Sequence, residues 1–229
     1  MNPLNRQALA RLVASQLPRD SFVNLGIGAP TQIADFVAPD AGVILHSENG
    51  ILNMGPAPRA GEEDPDLINA GKSPVTLALG GAFFDSSLAF AMMRGGHIDV
   101  AVLGAFQVSR RGDLANWTTG KDDGEPPGVG GAIDLAVGAK AIWVMMDHVA
   151  RDGAPRIVSD CTLPLTATNV VSRVFTSLAI IEVTEGGLLV SAMLEGAEFD
   201  HVQAATGAPL RLAERVGMIT ADGTLIGRS

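Results

Sequence analysis

Ala141-Ile142-Trp143-Val144-Met145-Met146 is apolar at every position instead of alternating with polar residues. A run of that kind reads as a strand covered on both faces, as in a parallel sheet flanked by helices. Working outward, residues 21–26, 43–46, 75–79, 100–103 and 178–183 give further short runs rich in β-branched and apolar residues. Helical stretches lie between them: 30–37, with Pro30 in the first turn, 85–94, with Asp85 as an acidic cap, and 132–139. A first helix is expected after Leu4-Asn5, with Leu9, Leu12, Val13 and Leu17 at helical spacing until Pro18. Glu185-Gly186-Gly187 signals a hairpin, and residues 199–206 a helix ended by Gly207. The expected class is α/β, a mostly parallel, doubly wound sheet flanked by helices, with a possible antiparallel edge.

The chain has 229 residues, 47% of them hydrophobic, enough for one substantial core. Its 27 glycines and 13 prolines are dispersed, which indicates many tight loops and no low-complexity block. A formal charge of −9 argues against nucleic acid or an anionic membrane surface as partner. No apolar run is long enough for a membrane span and no signal peptide is evident, so the expected location is cytoplasmic. Cys161 is the single cysteine, which excludes an internal disulfide and a cysteine-based metal cluster. It reads as a plain buried thiol.

In doubly wound sheets ligands sit beyond the carboxyl ends of the strands. Here those ends are Asn24-Leu25-Gly26-Ile27-Gly28, His46-Ser47-Glu48-Asn49-Gly50, Gly80-Gly81 and Gly104-Ala105-Phe106-Gln107. Gly26-Ile27-Gly28-Ala29-Pro30 opens a helix and can be read as an anion-holding turn or as a turn required only for geometry. Glu48 leaves its strand in a turn, either as a residue bonded to nearby amides or as a carboxylate with a task. The acidic stretches 62–66 and 122–125 read as solvated loops. His46, His97, His148 and His201 lack metal-ligand spacing, and no metal site is expected. Serine-elbow, phosphate-loop and paired-histidine patterns are missing, which leaves carboxylate chemistry.

Leu45-His46-Ser47-Glu48-Asn49-Gly50-Ile51-Leu52 resembles the signature of the glutamate-bearing beta subunit of the family I coenzyme A transferases. Residues 24–30, 66–72, 93–99, 112–117 and 129–135 resemble further family segments in the same order. The resemblance covers residues 4–210; the expected division is one domain over 1–212, with 213–229 a tail or an assembly contact. It implies Glu48 as nucleophile in a ping-pong reaction, with Asn24 as oxyanion donor. Gly26, Gly28, Asn49, Gly50, Gly130 and Gly131 are the implied contacts to substrate or coenzyme A. The loop 122–127 departs from the lysine-bearing loop of acetoacetate-type members.

No cofactor is expected to stay bound; coenzyme A is a substrate, carried covalently on Glu48. The implied partners are a separate alpha subunit in a hetero-oligomer, a dimer of alpha-beta pairs or larger, together with acyl-coenzyme A and carboxylic acids. Residues 61–64, 105–109 and 116–120 look closer to the 3-oxoadipate:succinyl-coenzyme A members of aromatic catabolism than to acetoacetate:succinate or acetate types. A thioester hydrolase and a non-catalytic coenzyme A-binding domain are the competing readings. A dicarboxylate would want a cation, with Lys72, Arg94 and Lys121 as candidates.

Overall fold

A computed structural model of the chain describes residues 2–120 and 128–227; Lys121 and the loop 122–127 lie outside the described residues. The helices are α1 (Arg6–Gln16), α2 (Ser86–Arg94), α3 (Ala132–Gly138) and α4 (Phe199–Ala204), with a 3-10 helix over Ala29–Phe36. The central strands are β1 (Phe22–Leu25), β2 (Ile44–Ser47), β5 (Val100–Leu103), β8 (Ala141–Met146) and β10 (Val171–Thr176). Beside β2 lie β3 (Ile51–Met54) and β4 (Leu77–Phe83); beyond β10 lie β11 (Ala179–Thr184), β12 (Gly187–Leu194), β13 (Leu210–Ile219) and β14 (Leu225–Ile226). These form one eleven-stranded sheet in the order β14-β13-β12-β11-β10-β8-β5-β1-β2-β3-β4. A second, three-stranded sheet joins β6 (Gln107–Ser109), β7 (Leu114–Ala115) and β9 (Ile157–Val158).

Four strands of the parallel core, β2, β1, β5 and β8, fall on expected runs, and the fifth, β10, falls on none. All five pair parallel, whereas the expected run 178–183 is β11 and pairs antiparallel on both sides. Successive residues of each strand point to opposite faces. Val100 and Val102 of β5 therefore join Leu9, Leu12 and Val13 of α1 and Ile33 of the 3-10 helix in one apolar cluster. Ala101 and Leu103 join Met93 of α2 and Leu135 of α3 in the other. Both layers must be apolar, which is why these strands read as unbroken hydrophobic runs.

The antiparallel share is larger than an edge. The pairs β2–β3, β3–β4, β10–β11, β11–β12 and β13–β14 are all antiparallel; short turns such as Glu185-Gly186 return the chain beside itself in all but β3–β4, which the long connection 55–76 joins. Residues 75–79 do not form a buried strand: β4 is the outermost strand, its Leu79 fully exposed. Gly80-Gly81 accordingly lies inside this edge strand and not at a carboxyl end.

The expected tail also differs. Residues past Leu212 continue β13, which pairs parallel with β12 through Ala192↔Gly217, Met193↔Met218 and Leu194↔Ile219. Ile219 is fully buried, so this segment belongs to the main core. Asn5 caps α1 by accepting from the Ala8 amide at 2.9 Å, and Asp85 caps α2 by accepting from Leu88 at 2.9 Å, each cap worth about 1 kcal/mol. No helix among the described residues is long and apolar enough to cross a membrane.

Candidate active site

Asn24 is one residue from the carboxyl end of β1, and His46 is its register partner on the adjacent parallel strand β2. Neighbouring strands run about 4.8 Å apart, so this register alone brings the two side chains into contact. Asn24 Nδ2 donates to the His46 backbone carbonyl at 3.2 Å and lies 3.0 Å from His46 Nδ1. Both residues are fully buried. With Nδ2 as donor, Nδ1 accepts, which places the imidazole proton on Nε2. Burial pushes the His46 pKa down to about 4, only partly offset by the Ala89 backbone, so the ring is neutral at physiological pH. Asn24 Oδ1 and His46 Nε2 are buried without a hydrogen-bond partner among the described residues. Phe84 stacks against the His46 ring with centroids 6.0 Å apart.

Glu48 stands two residues beyond His46, in the tight turn joining β2 to β3. The turn is closed by Gly50 N–H donating to the Ser47 carbonyl at 3.0 Å. Ser47 Oγ accepts from the Ala70 amide at 3.1 Å, and Asn49 Nδ2 donates to the Ile68 carbonyl at 2.7 Å. The 66–72 segment thus braces the turn from outside. Glu48 is half-buried. Burial raises its pKa above the ordinary glutamate value, while hydrogen bonding from Asn24 acts in the opposite direction, favouring the anion.

Gly50 is buried with φ +105, a conformation that strains any L side chain, and a Cβ there would stand 1.9 Å from the Phe84 carbonyl oxygen. That carbonyl cannot retreat freely, because Phe84 N–H donates to the Gly50 carbonyl at 3.0 Å. Gly50→Ala is therefore expected to cost on the order of 3 kcal/mol or more. Thermal unfolding would read this directly, and a variant melting with the wild type would refute it.

The carboxylate opens into a cavity of about 520 Å³ whose walls come from the carboxyl ends of β1, β5 and β8 and the segment leading into α3. Gly131, the cap of α3, lies directly against it: a Cβ there would be 3.5 Å from Glu48 Cδ and Oε1 and 3.4 Å from Phe90 Cζ. Gly26 and Gly130 also line the cavity, whereas Gly28, Asn49 and Gly50 do not. The chemistry available here is that of a half-desolvated carboxylate beside an amide donor and a bare backbone segment.

Two of the three cations expected from the sequence fall elsewhere, and Lys121 lies outside the described residues. Arg94 is bonded to Asp134 at 2.6 Å between α2 and α3, and Lys72 sits in a left-handed turn at φ +63; neither lines the cavity. Instead Arg6 and Arg156 do, together with Trp117. The sequence carries no local signal for Arg6 or Arg156, which come from α1 and the approach to β9, whereas Trp117, after β7, lies in the segments 112–117 and 116–120 that the resemblance marks.

The remaining candidate groups are structural. His148 is buried between Thr176 Oγ1 at 2.8 Å and Thr206 Oγ1 at 2.9 Å, and burial lowers its pKa to about 4. Burial first, then the Asp113 and Asp160 charges, push the Cys161 thiol up to about 11, which leaves it protonated and unreactive at neutral pH. Residues 62–66 form an exposed loop; 122–125 lie outside the described residues. No group of three or more His, Cys, Asp or Glu among the described residues is arranged to hold a metal ion.

The family model described as "Coenzyme A transferase" matches residues 6–205. The chain is similar to the B subunit of the 3-oxoadipate CoA-transferase of Pseudomonas putida, 55% identical over 207 residues, covering 90% of this chain and 96% of that protein. It is 54% identical over 207 residues to the protein of the same name from Acinetobacter baylyi, covering 90% and 95%. Among solved structures, the apoenzyme of an acyl-CoA transferase from Escherichia coli O157:H7 superposes with a TM-score of 0.71 at 18% identity, spanning 100% of this chain and 47% of that one. That last likeness concerns the fold alone.

Proposed function

This chain belongs to the coenzyme A transferase family, and we propose that it moves coenzyme A from succinyl-coenzyme A to a 3-oxo acid, 3-oxoadipate, through a glutamyl thioester on Glu48. The observation that carries the reading is Glu48 itself. It is a half-buried carboxylate of raised pKa, flanked by Asn24 and Gly131 at the mouth of a cavity large enough for an acyl group. Desolvation makes the anion more basic, hence a better nucleophile than a solvated carboxylate.

In this mechanism Glu48 attacks the thioester carbonyl; the C–S bond breaks, giving a mixed anhydride and the coenzyme A thiolate. The thiolate attacks the glutamyl carbonyl and expels the first acid as its carboxylate, leaving coenzyme A on Glu48. A second carboxylate reverses both steps and departs as the new thioester. Charge and protons balance without a redox partner. Each addition develops an oxyanion, for which the Asn24 amide is the donor, one Nδ2 hydrogen turning from His46 to the oxyanion as it forms. Gly131 leaves the approach to the Glu48 carbonyl open, where a larger side chain would crowd it.

Coenzyme A enters as substrate, and no group needs to remain bound between turnovers. The 3-oxoadipate assignment is supported by the names of the relatives at 54–55% identity. Those names also designate one component of a multi-subunit enzyme, which supports the need for an alpha partner. The span of 47% on the larger transferase chain fits a site completed by a second half. The test is co-expression with an alpha subunit and a screen of acceptor acids with succinyl-coenzyme A as donor. Transfer to 3-oxoadipate in preference to acetoacetate or acetate is expected. Steady release of free coenzyme A without an acceptor would instead make the protein a hydrolase.

A further inference from the structure

Resting on that reading, we propose that Arg156 is the subsite for the second, distal carboxylate of a dicarboxylic acyl group, and so sets a preference for diacids over monoacids of the same length. Three observations support it. Arg156 lines the same cavity as Glu48 and is half-buried, unlike Arg6, the other cation on the wall, which is exposed. Its position is rigid: the Arg156 carbonyl accepts from the Val108 amide at 2.9 Å, its own amide donates to the His148 carbonyl at 3.4 Å, and Ile157 next to it is fully buried. Its guanidinium is aimed, because Nη1 donates to the Ala105 carbonyl at 3.2 Å at the carboxyl end of β5, leaving further N–H groups of the fork for a ligand.

The surroundings fit a diacid. The wall of the cavity that Glu48 and Arg156 share is largely apolar, with Leu103, Ala105, Phe106, Leu135 and Met146 among its residues, which suits a methylene spacer. The other acidic residue of the wall, Asp147, is exposed, and no carboxylate among the described residues forms an ion pair with Arg156. A half-buried guanidinium whose one side-chain hydrogen bond among the described residues goes to a carbonyl oxygen gains by meeting a carboxylate through a charge-assisted contact. In a chain of net charge −9, capture of a dianion depends on such a local cation.

The experiment compares two acceptors that differ only at the far end, 3-oxoadipate and 3-oxohexanoate, in the enzyme assembled with its alpha subunit. In Arg156→Gln the ratio of kcat/KM for the diacid over the monoacid is expected to fall by about ten- to a hundred-fold. Arg156→Met, which keeps the aliphatic stem, should behave alike and stands in if the glutamine variant does not assemble; Arg156→Lys should retain part of the ratio. The same discrimination should appear on the donor side, between succinyl-coenzyme A and butyryl-coenzyme A. An unchanged ratio overturns the assignment. So does an equal loss with every acyl-coenzyme A donor, which would put the guanidinium on the coenzyme's phosphates. A wild-type enzyme that transfers to neither acid would refute the proposed function instead, so the two failures are distinguishable.

Discussion

Glu48→Ala is expected to reduce coenzyme A transfer by about 10⁴-fold or more, because the proposed chemical step depends on this one nucleophile. Wild-type enzyme incubated with acyl-coenzyme A and no acceptor should carry coenzyme A covalently, located from peptide masses on Glu48, and the variant should carry none. Full turnover in Glu48→Ala, or an adduct on another residue, would remove Glu48 from the mechanism. Glu48→Gln adds a thermodynamic readout. A carboxyl whose pKa is raised on folding contributes stability that is present below its unfolded pKa and lost as the pH rises through the folded value. Burial raises the Glu48 pKa, so at neutral pH the anion is a net cost to the fold. Glu48→Gln removes that cost. The variant should unfold at a higher temperature at neutral pH, with the advantage vanishing below the ordinary glutamate range.

Asn24→Ala should lower kcat by about 10²–10³-fold, the usual consequence of deleting one preorganised oxyanion donor. The side chain is held by His46 rather than by substrate, so its amide is oriented before the acyl group arrives. Its loss should therefore appear mainly in kcat and less in the KM for acyl-coenzyme A. The same amide lowers the Glu48 pKa against the larger effect of burial. Removing it leaves burial unopposed, and the acidic limb of the kcat/KM profile should move to higher pH. A purely structural role for Asn24 would change stability without moving that limb. A variant with wild-type kcat and an unmoved limb would exclude both roles. Asn24→Asp is the sharper control, since a like charge beside Glu48 disfavours ionisation further.

The parallel core is legible in the sequence because burial on both faces imprints itself on each strand separately: 100–103 and 141–146 coincide with β5 and β8. The strand β10 gives no such signal, since Ser172 and Arg173 interrupt its apolar run. Arg173 is tolerated there through Glu182 across the sheet at 2.8 Å and the Trp143 ring 4.8 Å away, partners that no local pattern announces. The strand β13 is hidden similarly, with exposed Arg211, Glu214 and Arg215 masking its paired half. The helix expected over 30–37 is present, in 3-10 form, over Ala29–Phe36.

By itself the sequence determined the class of sheet, the helix caps at Asn5 and Asp85, and a family signature centred on Glu48. Only the tertiary structure decided what surrounds that carboxylate. Asn24 and His46 meet through the register of β1 on β2, Gly131 arrives because α3 packs beside α2, and Arg156, rather than Lys72 or Arg94, reaches the cavity wall. The physical reason is that hydrophobic periodicity records which faces of one element are buried. A site at the ends of several strands depends on how those elements are registered against one another, which is settled by long-range pairing and packing.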